Sequence, residues 1–263
     1  MVLLGMVDTV NYMYCVVPAS FHLGTGIIGI EEATIRLVSL GDVAALASTL
    51  DGADYTPERI GERVGDIEWL NPRAVAHDRV VTWASDRAPT VPMPMWTLFA
   101  DSKGILTALE GRYDTLRANL ATLRDAREYT VRIFADLAGV AAAIATLSPL
   151  IGELERNIQG VGPGQAYLLQ RKVAEARKQE IRAVVQRVAD ETYEALTHCS
   201  IDEIREQLPN GGTAVLKASF LVANKRYDDF RRGLTDLITR YQPAGFQFDF
   251  TGPWPAYHFV HED

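Results

Sequence analysis

The sequence predicts an α+β protein of two domains, each a mostly antiparallel sheet with helices packed on it. Three observations carry that expectation. Runs rich in aromatic and β-branched residues give way to stretches whose apolar residues recur every three or four positions. The chain has 263 residues, which at roughly 100–200 residues per domain suits two separate cores. The alternating strand–helix rhythm of a parallel α/β sheet is missing. We place the boundary so that residues 1–124 form the N-terminal domain and residues 125–263 the C-terminal one.

In chain order, Asn11 to Val17 reads as a first strand that stops at Pro18. Ile27 to Ile30 and Thr34 to Leu40 read as a short hairpin around Glu31-Glu32. Val43 to Leu50 is a further strand, closed by the turn formers Asp51-Gly52. Asn71-Pro72 is a helix start, because Asn caps first-turn amides and Pro at the first helical position loses no hydrogen bond. Ala76, Val80, Trp83 and Ala84 then share one face. Thr90 to Phe99 follows as an extended segment, placed at a sheet edge because Pro92 and Pro94 cannot donate to a ladder. From Asp101, the residues Ile105, Leu109, Tyr113, Leu116, Leu120 and Leu123 form the stripe of an amphipathic helix.

The second half opens with a strand from Glu128 to Phe134 and an Ala-rich helix. Gly160-Val161-Gly162-Pro163-Gly164 must be a loop, and a long helix from about Gln165 carries Leu169, Val173, Ile181, Val184, Val188 and Leu196. Asn210-Gly211-Gly212 breaks the chain again. Leu216, Ala218, Phe220 and Val222 alternate as in a strand. Asn224 caps a helix with Tyr227, Phe230, Leu234, Leu237 and Tyr241 on one side. A last strand sets Phe246, Phe248 and Phe250 on one face. Strand, long helix, strand, helix, strand is close to a split βαβ arrangement.

Composition removes several function classes. With a formal net charge of −8 and no dense Lys/Arg run, the chain is a poor partner for nucleic acid or an anionic membrane surface. The two cysteines, Cys15 and Cys199, are far apart and lack CxxC spacing, which argues against a disulfide framework or a zinc site. The amino terminus lacks the basic leader of a signal peptide. The longest apolar stretch, about Leu137 to Ile151, is shorter than the ~20 residues of a membrane span. The expected location is the cytoplasm.

The chemical inventory is equally spare. Gly24-Thr25-Gly26-Ile27-Ile28-Gly29 is a literal GxGxxG, but a dinucleotide site needs it directly after a strand and opening a helix. Here Pro18 to Leu23 intervene and a β-like pattern follows, so the bland reading is a loop entering a hairpin. His258, His261, Glu262 and Asp263 cluster at the end, where mobile ligands hold metal weakly. His77-Asp78 reads as a solvated pair or a satisfied, partly buried imidazole. Cys15 and Ser20 lack a nucleophile-elbow context, and Glu31-Glu32 would point to opposite faces of a strand. We therefore assign no catalytic, cofactor-binding or metal residues and expect no enzyme.

The tail stands out. In Gly252-Pro253-Trp254-Pro255-Ala256-Tyr257-His258-Phe259-Val260, two prolines fix the backbone around Trp254, so Trp254, Tyr257 and Phe259 are presented with little freedom. The bland reading is a strap over the sheet face left by Phe246, Phe248 and Phe250; the sharper one is direct binding. This string resembles the C-terminal signature of the gas vesicle protein F/L family (GvpF/GvpL), GPWPPYxFV. Further similar stretches are Tyr12 to Pro18, Ala76 to Val81, Pro92 to Phe99, Arg127 to Arg132, Gly164 to Leu168, and Leu221 to Phe230. They fall in the family's order over nearly the whole chain. Ala256 replaces the family's second proline, and Met93-Pro94-Met95-Trp96 stands where a PLRFG-like strand with an Arg is usual.

The resemblance implies a non-catalytic accessory protein of gas vesicle formation whose second domain is a modified ferredoxin-like fold with a long helix. It implies association with the small hydrophobic shell protein and with other accessory proteins, location on gas vesicles during assembly, and no cofactor. As contact or signature residues we take Trp96, Val140, Ile144, Pro253, Trp254, Tyr257 and Phe259. Val140 and Ile144 enter because small neighbours in the Ala-rich segment permit close helix approach. Trp96 lies on the proline-bearing edge, which could offer unpaired backbone groups. Two other classes stay open: a nucleotide-dependent enzyme using the Gly24–Gly29 loop, and a small-molecule-binding regulatory α+β protein.

Overall fold

The computed structural model describes residues 8–158, 161–209 and 212–260. The chain divides into two compact units, the first formed by residues up to Arg127 together with the segment from Trp254, the second by Glu128–Pro253.

The first unit is built on β1 (Thr9–Pro18), β2 (Arg36–Leu40), β3 (Val43–Asp51), β4 (Val91–Pro92) and β5 (Leu98–Phe99), in the sheet order β2-β3-β1-β4 with β5 also on β1. β1 runs antiparallel to β3 from Thr9↔Asp51 to Pro18↔Val43, with a bulge at Tyr14 between Met13 and Cys15. Residues from Val10 to Val17 are buried throughout, so this strand needs cover on both faces. α1 (Pro57–Arg63) precedes α2 (Ile67–Ser85), and α2 supplies one cover. Its Ala76, Val80, Val81 and Ala84 join the core of Tyr12, Tyr14, Val17 and Leu46. β4 and β5 follow. α3 (Ser102–Gly111) and α4 (Tyr113–Leu123) also contact the strands, and their Ile105, Leu109, Leu116 and Leu120 are buried.

Several boundaries differ from the sequence reading, each for a local reason. α2 begins at Ile67, not at Asn71-Pro72, because Asp66 caps it by accepting from the amides of Glu68 and Trp69. Pro72 therefore lies inside the helix. The stripe from Asp101 is two helices, broken where Arg112 leaves the helical region at φ −124°, ψ 20°. Thr90 to Phe99 is not one strand. It touches β1 at its two ends, and Trp96 between them has φ 69°. The Glu31-Glu32 hairpin shrinks to one bridge, Ile28↔Thr34, because both glutamates take left-handed φ values of 53° and 60°.

The second unit runs β6 (Ala126–Ala135), α5 (Leu137–Leu147), α6 (Pro149–Ile158), α7 (Pro163–Thr197), β7 (Asp202–Arg205), β8 (Ala214–Ala223), α8 (Tyr227–Tyr241) and β9 (Phe246–Trp254). The sheet order is β7-β8-β6-β9. Numbered within the unit this is strand order 4-1-3-2 in a β-α-β-β-α-β chain, the ferredoxin-like arrangement. Sequence reading missed β7, a four-residue strand whose DEIR sequence has no apolar alternation. Asn224 does not cap α8 with its side chain; it opens a 3-10 turn, Asn224–Arg226.

The Ala-rich segment is likewise not one helix. Pro149 cannot donate to Ala145, and the chain bends by 74° at Ser148. Among the described residues no single helix is long and apolar enough to cross a membrane; α5 and α6 pass only as this bent pair, and Val140, Ile144 and Ile151 are buried in the core of the unit. Gly245 sits at φ 93° and carries the chain from α8 into β9. A Cβ there would lie 2.8 Å from the Val140 amide nitrogen, so only glycine lets β9 approach the start of α5.

The aromatic ladder expected on β9 is present: Phe246 is buried, and Phe248 and Phe250 pack on the core. Phe230 of α8 lies at its centre, with ring centroids 5.4 Å from Phe220, 6.1 Å from Phe250 and 6.3 Å from Tyr129. Truncation leaves a cavity in a close-packed site. Phe230→Ala is therefore expected to cost about 3–5 kcal/mol in urea unfolding of the second unit; a change below about 1 kcal/mol would contradict this packing.

Candidate interaction surface

The first unit holds an aromatic knot where β1 bulges. Tyr12 and Tyr14 are both fully buried and their hydroxyls need partners. The Tyr14 hydroxyl bonds Ser48 Oγ at 2.8 Å and accepts from the Ile30 amide at 2.9 Å. The Tyr12 hydroxyl lies 2.8 Å from His77 Nδ1 and accepts from the Trp96 amide at 3.3 Å. With a neutral imidazole this reads as a relay: Trp96 donates to Tyr12, Tyr12 donates to His77, and His77 donates to the Met93 carbonyl. It ties Met93 and Trp96, in the middle of the broken Thr90–Phe99 segment, to β1 and α2.

Around this relay Trp96 stacks on Trp69 with centroids 5.2 Å apart and meets Tyr12 edge-on. The Arg73 guanidinium lies 4.4 Å above the Trp69 ring, pairs with Glu31, and donates to the Tyr55 hydroxyl at 3.0 Å. Tyr55 in turn donates to Glu31 at 3.0 Å. Glu31 thus anchors a cation and a phenol, and its left-handed backbone serves that placement. Sequence reasoning missed Trp69, Arg73 and Tyr55 because they sit far apart in the chain and share no periodic face with Trp96.

The tail belongs to this unit. Pro255, Ala256 and Phe259 are buried, and the Tyr257 hydroxyl donates to Asp78 of α2 at 3.1 Å. Burial, with the Asp78 carboxylate beside it, raises the Tyr257 pKa, so the phenol stays protonated. The segment from Trp254 thus groups with the first unit, where Tyr257 ties it to α2. Trp254 and Tyr257 remain 44% and 41% exposed, and Pro253 is exposed.

Val140 and Ile144 lie at the centre of the second unit with no exposed surface, so they pack the fold and are not accessible to a partner. The exposed large apolar residue of that helix is Leu137, 60% exposed. It rims an open groove of about 1050 Å³ lined by Phe134, Leu137, Phe246, Phe248 and Gln247, among others.

The Gly24–Gly29 loop does not open an α-helix; it runs into the 3-10 turn Ile30–Glu32. A Cβ on Gly29 would meet the Tyr14 hydroxyl and lie 2.9 Å from Ile35 Cδ1, so this glycine is there for packing. Cys15 is buried and Cys199 half-buried, both free thiols; burial raises the Cys15 pKa far above the usual thiol value. Among the described residues no group of three or more His, Cys, Asp and Glu side chains is placed to hold a metal. Of the terminal cluster, His261, Glu262 and Asp263 lie outside the described residues.

Two antiparallel sheets clad with helices, an aromatic relay packed in the first and half-exposed aromatics on the tail define a two-unit α+β protein. The family described as "Gas vesicle synthesis protein GvpL/GvpF" matches residues 10–261, and the chain belongs to it. It is 26% identical to gas vesicle protein L of Streptomyces sp. over 96% of this chain and 93% of that protein. It is 28% identical to gas vesicle protein L1 of Halobacterium salinarum over 95% and 90%. The crystal structure of GvpF from Anabaena sp. has the same fold, with a TM-score of 0.72 at 13% identity, covering 97% of this chain and 99% of that one. GvpF from Microcystis aeruginosa follows at 0.66 and 13%, covering 96% and 99%.

Burial lowers the His77 pKa from 6.5 to about 4, against the opposing pull of Asp78 and the Met93 carbonyl. A depressed histidine binds fewer protons folded than unfolded between those two values. Its contribution is complete above pH 6.5 and is lost as pH falls toward 4, by about 3 kcal/mol in total. Urea unfolding of wild type and His77→Gln at pH 7.5 and pH 5 checks this: the wild type should lose more stability on acidification than the variant. Equal losses would remove His77 as the cause.

Proposed function

We propose that this chain is a non-catalytic accessory protein of gas vesicle formation that binds the small hydrophobic shell protein, and other accessory proteins, during nucleation or assembly. The observation that carries the reading is the family match over residues 10–261, which takes in both units and the aromatic tail. It therefore bears on the whole architecture and not on one borrowed domain. A gas vesicle accessory role follows at that level, and the choice of partner is the step beyond it.

The surface best suited to an apolar subunit is the groove beside Leu137, because Phe134, Phe246 and Phe248 give it an apolar floor next to an exposed leucine. Val140 and Ile144 position the α5 helix from within. Trp254 and Tyr257 offer a second, smaller patch of the amphipathic kind enriched at interfaces.

Co-expression with the shell protein tests the reading. Leu137→Asp changes an exposed residue, so the fold should survive, as a circular-dichroism melt would verify. We expect the amount of shell protein co-purifying to fall about tenfold or more, on the scale of a buried apolar contact replaced by a charge. Unchanged recovery with Leu137→Asp would remove the groove. No recovery with the wild type would remove the shell protein as partner. In the source cell, deletion of the gene should abolish buoyant vesicles, and their persistence would defeat the accessory role itself.

A further inference from the structure

The long helix α7 carries a feature that the groove and the tail do not use. Between Tyr167 and Arg187 it has six cations and two carboxylates, in a chain whose formal net charge is −8. Arg177 pairs with Glu155 on α6, and Arg187 donates to the Leu147 carbonyl. Of the carboxylates, Glu180 accepts from the buried Ser148 hydroxyl at 2.7 Å, on the side of the α5–α6 joint. Arg171, Lys172, Lys178 and Arg182 are exposed and, among the described residues, make no hydrogen bond or ion pair.

Three of these form a line. Arg171, Lys178 and Arg182 are seven and four residues apart, within an arc of about 40° around the helix and spread over about 16 Å of its length. Tyr167 and Leu168 precede Arg171 by four and three positions and share its face. Each is 61% exposed. Val173 and Val184 are buried on the inward side, and Glu175 is the one acid that interrupts the outer stripe. Two large apolar side chains left in water forgo burial free energy, and tyrosine beside arginine is the composition of an interface centre.

We propose that this stripe docks an acidic amphipathic helix of a partner protein, its carboxylates meeting Arg171, Lys178 and Arg182 and its apolar residues seated on Tyr167 and Leu168. Charge complementarity selects the occupant. A nucleic acid backbone would set an unbroken row of phosphates against Glu175 in mid-stripe, whereas a helix can space its carboxylates to clear it. A bilayer would need a continuous apolar face, and this stripe has two apolar residues at one end. The proposal rests on the accessory reading above but not on the shell protein being the partner.

The test uses the full-length protein and a fluorescent designed helix with a leucine face flanked by glutamates, alongside its glutamine counterpart. The glutamate helix should bind at least tenfold tighter, and added salt should weaken it. The triple variant Arg171→Glu, Lys178→Glu, Arg182→Glu should lose at least tenfold. Tyr167→Ala with Leu168→Ala should lose severalfold. All are surface changes, and an unchanged thermal melt verifies their folding. Equal binding of the two helices, indifference to the charge reversal, or tighter binding to single-stranded RNA or phosphatidylserine vesicles would each overturn the proposal. In the source cell, the triple variant should fail to restore vesicles to a deletion strain, whereas Arg171→Lys with Arg182→Lys should restore them. Restoration by the triple variant sinks this inference alone. Vesicles persisting in the deletion strain sink the accessory reading.

Discussion

Two phenolic hydroxyls buried on a central strand set the terms for the first unit. Tyr12 and Tyr14 bring large apolar rings into the core, but each hydroxyl left without a partner there costs roughly 1–3 kcal/mol. The chain answers with one partner from each neighbouring element. Ser48 comes from β3, the Ile30 amide from the 3-10 turn, His77 from α2, and the Trp96 amide from the segment between β4 and β5. The unusual backbone at Trp96 and at Glu31-Glu32 follows from bringing these groups to the right places, and the neutral state of His77 follows from its burial.

The second unit is governed by a different constraint, close approach of backbones. Gly245 admits β9 to the start of α5, and the Asp136 amide donates to the Gly245 carbonyl at 2.8 Å. Proline at position 149 then bends the chain, and α6 turns to lie along α7, held by the Glu155–Arg177 pair. Thirty-five residues give α7 a length of about 52 Å. Its C-terminal half packs on the sheet through Val184, Val188 and Leu196, leaving the N-terminal half to α6 on one side and to solvent on the other.

These constraints explain why residues that read as chemical are structural. The glycine-rich loop supplies space for Tyr14, His77 supplies an acceptor, Cys15 is sealed in the core, and Glu31 neutralises Arg73. What remains outside is a set of surfaces: the Leu137 groove, the half-exposed Trp254 and Tyr257, and the cationic stripe of α7. On the proposals above these surfaces meet other polypeptides; the chain's place in the gas vesicle synthesis family supports an accessory role.

By itself the sequence determined the α+β class, β1, β3 and β8, the β9 phenylalanine face, and the long helix, because local periodicity and β-branched content report directly on burial of one face. It also determined the family, through motifs spread in order along the chain. The break at Ser148 is set locally by Pro149, whereas the split of Thr90–Phe99 and the short strand β7 were decided by tertiary structure, since each depends on a partner distant in sequence. The same holds for the candidate surfaces. Apolar composition alone could not separate Val140, which is wholly buried, from Leu137, which is exposed three residues earlier. Nor could the tail's own residues reveal that Tyr257 reaches Asp78, 179 positions away. Exposure and long-range pairing are properties of the packed chain, and a linear pattern encodes only which residues are able to take part.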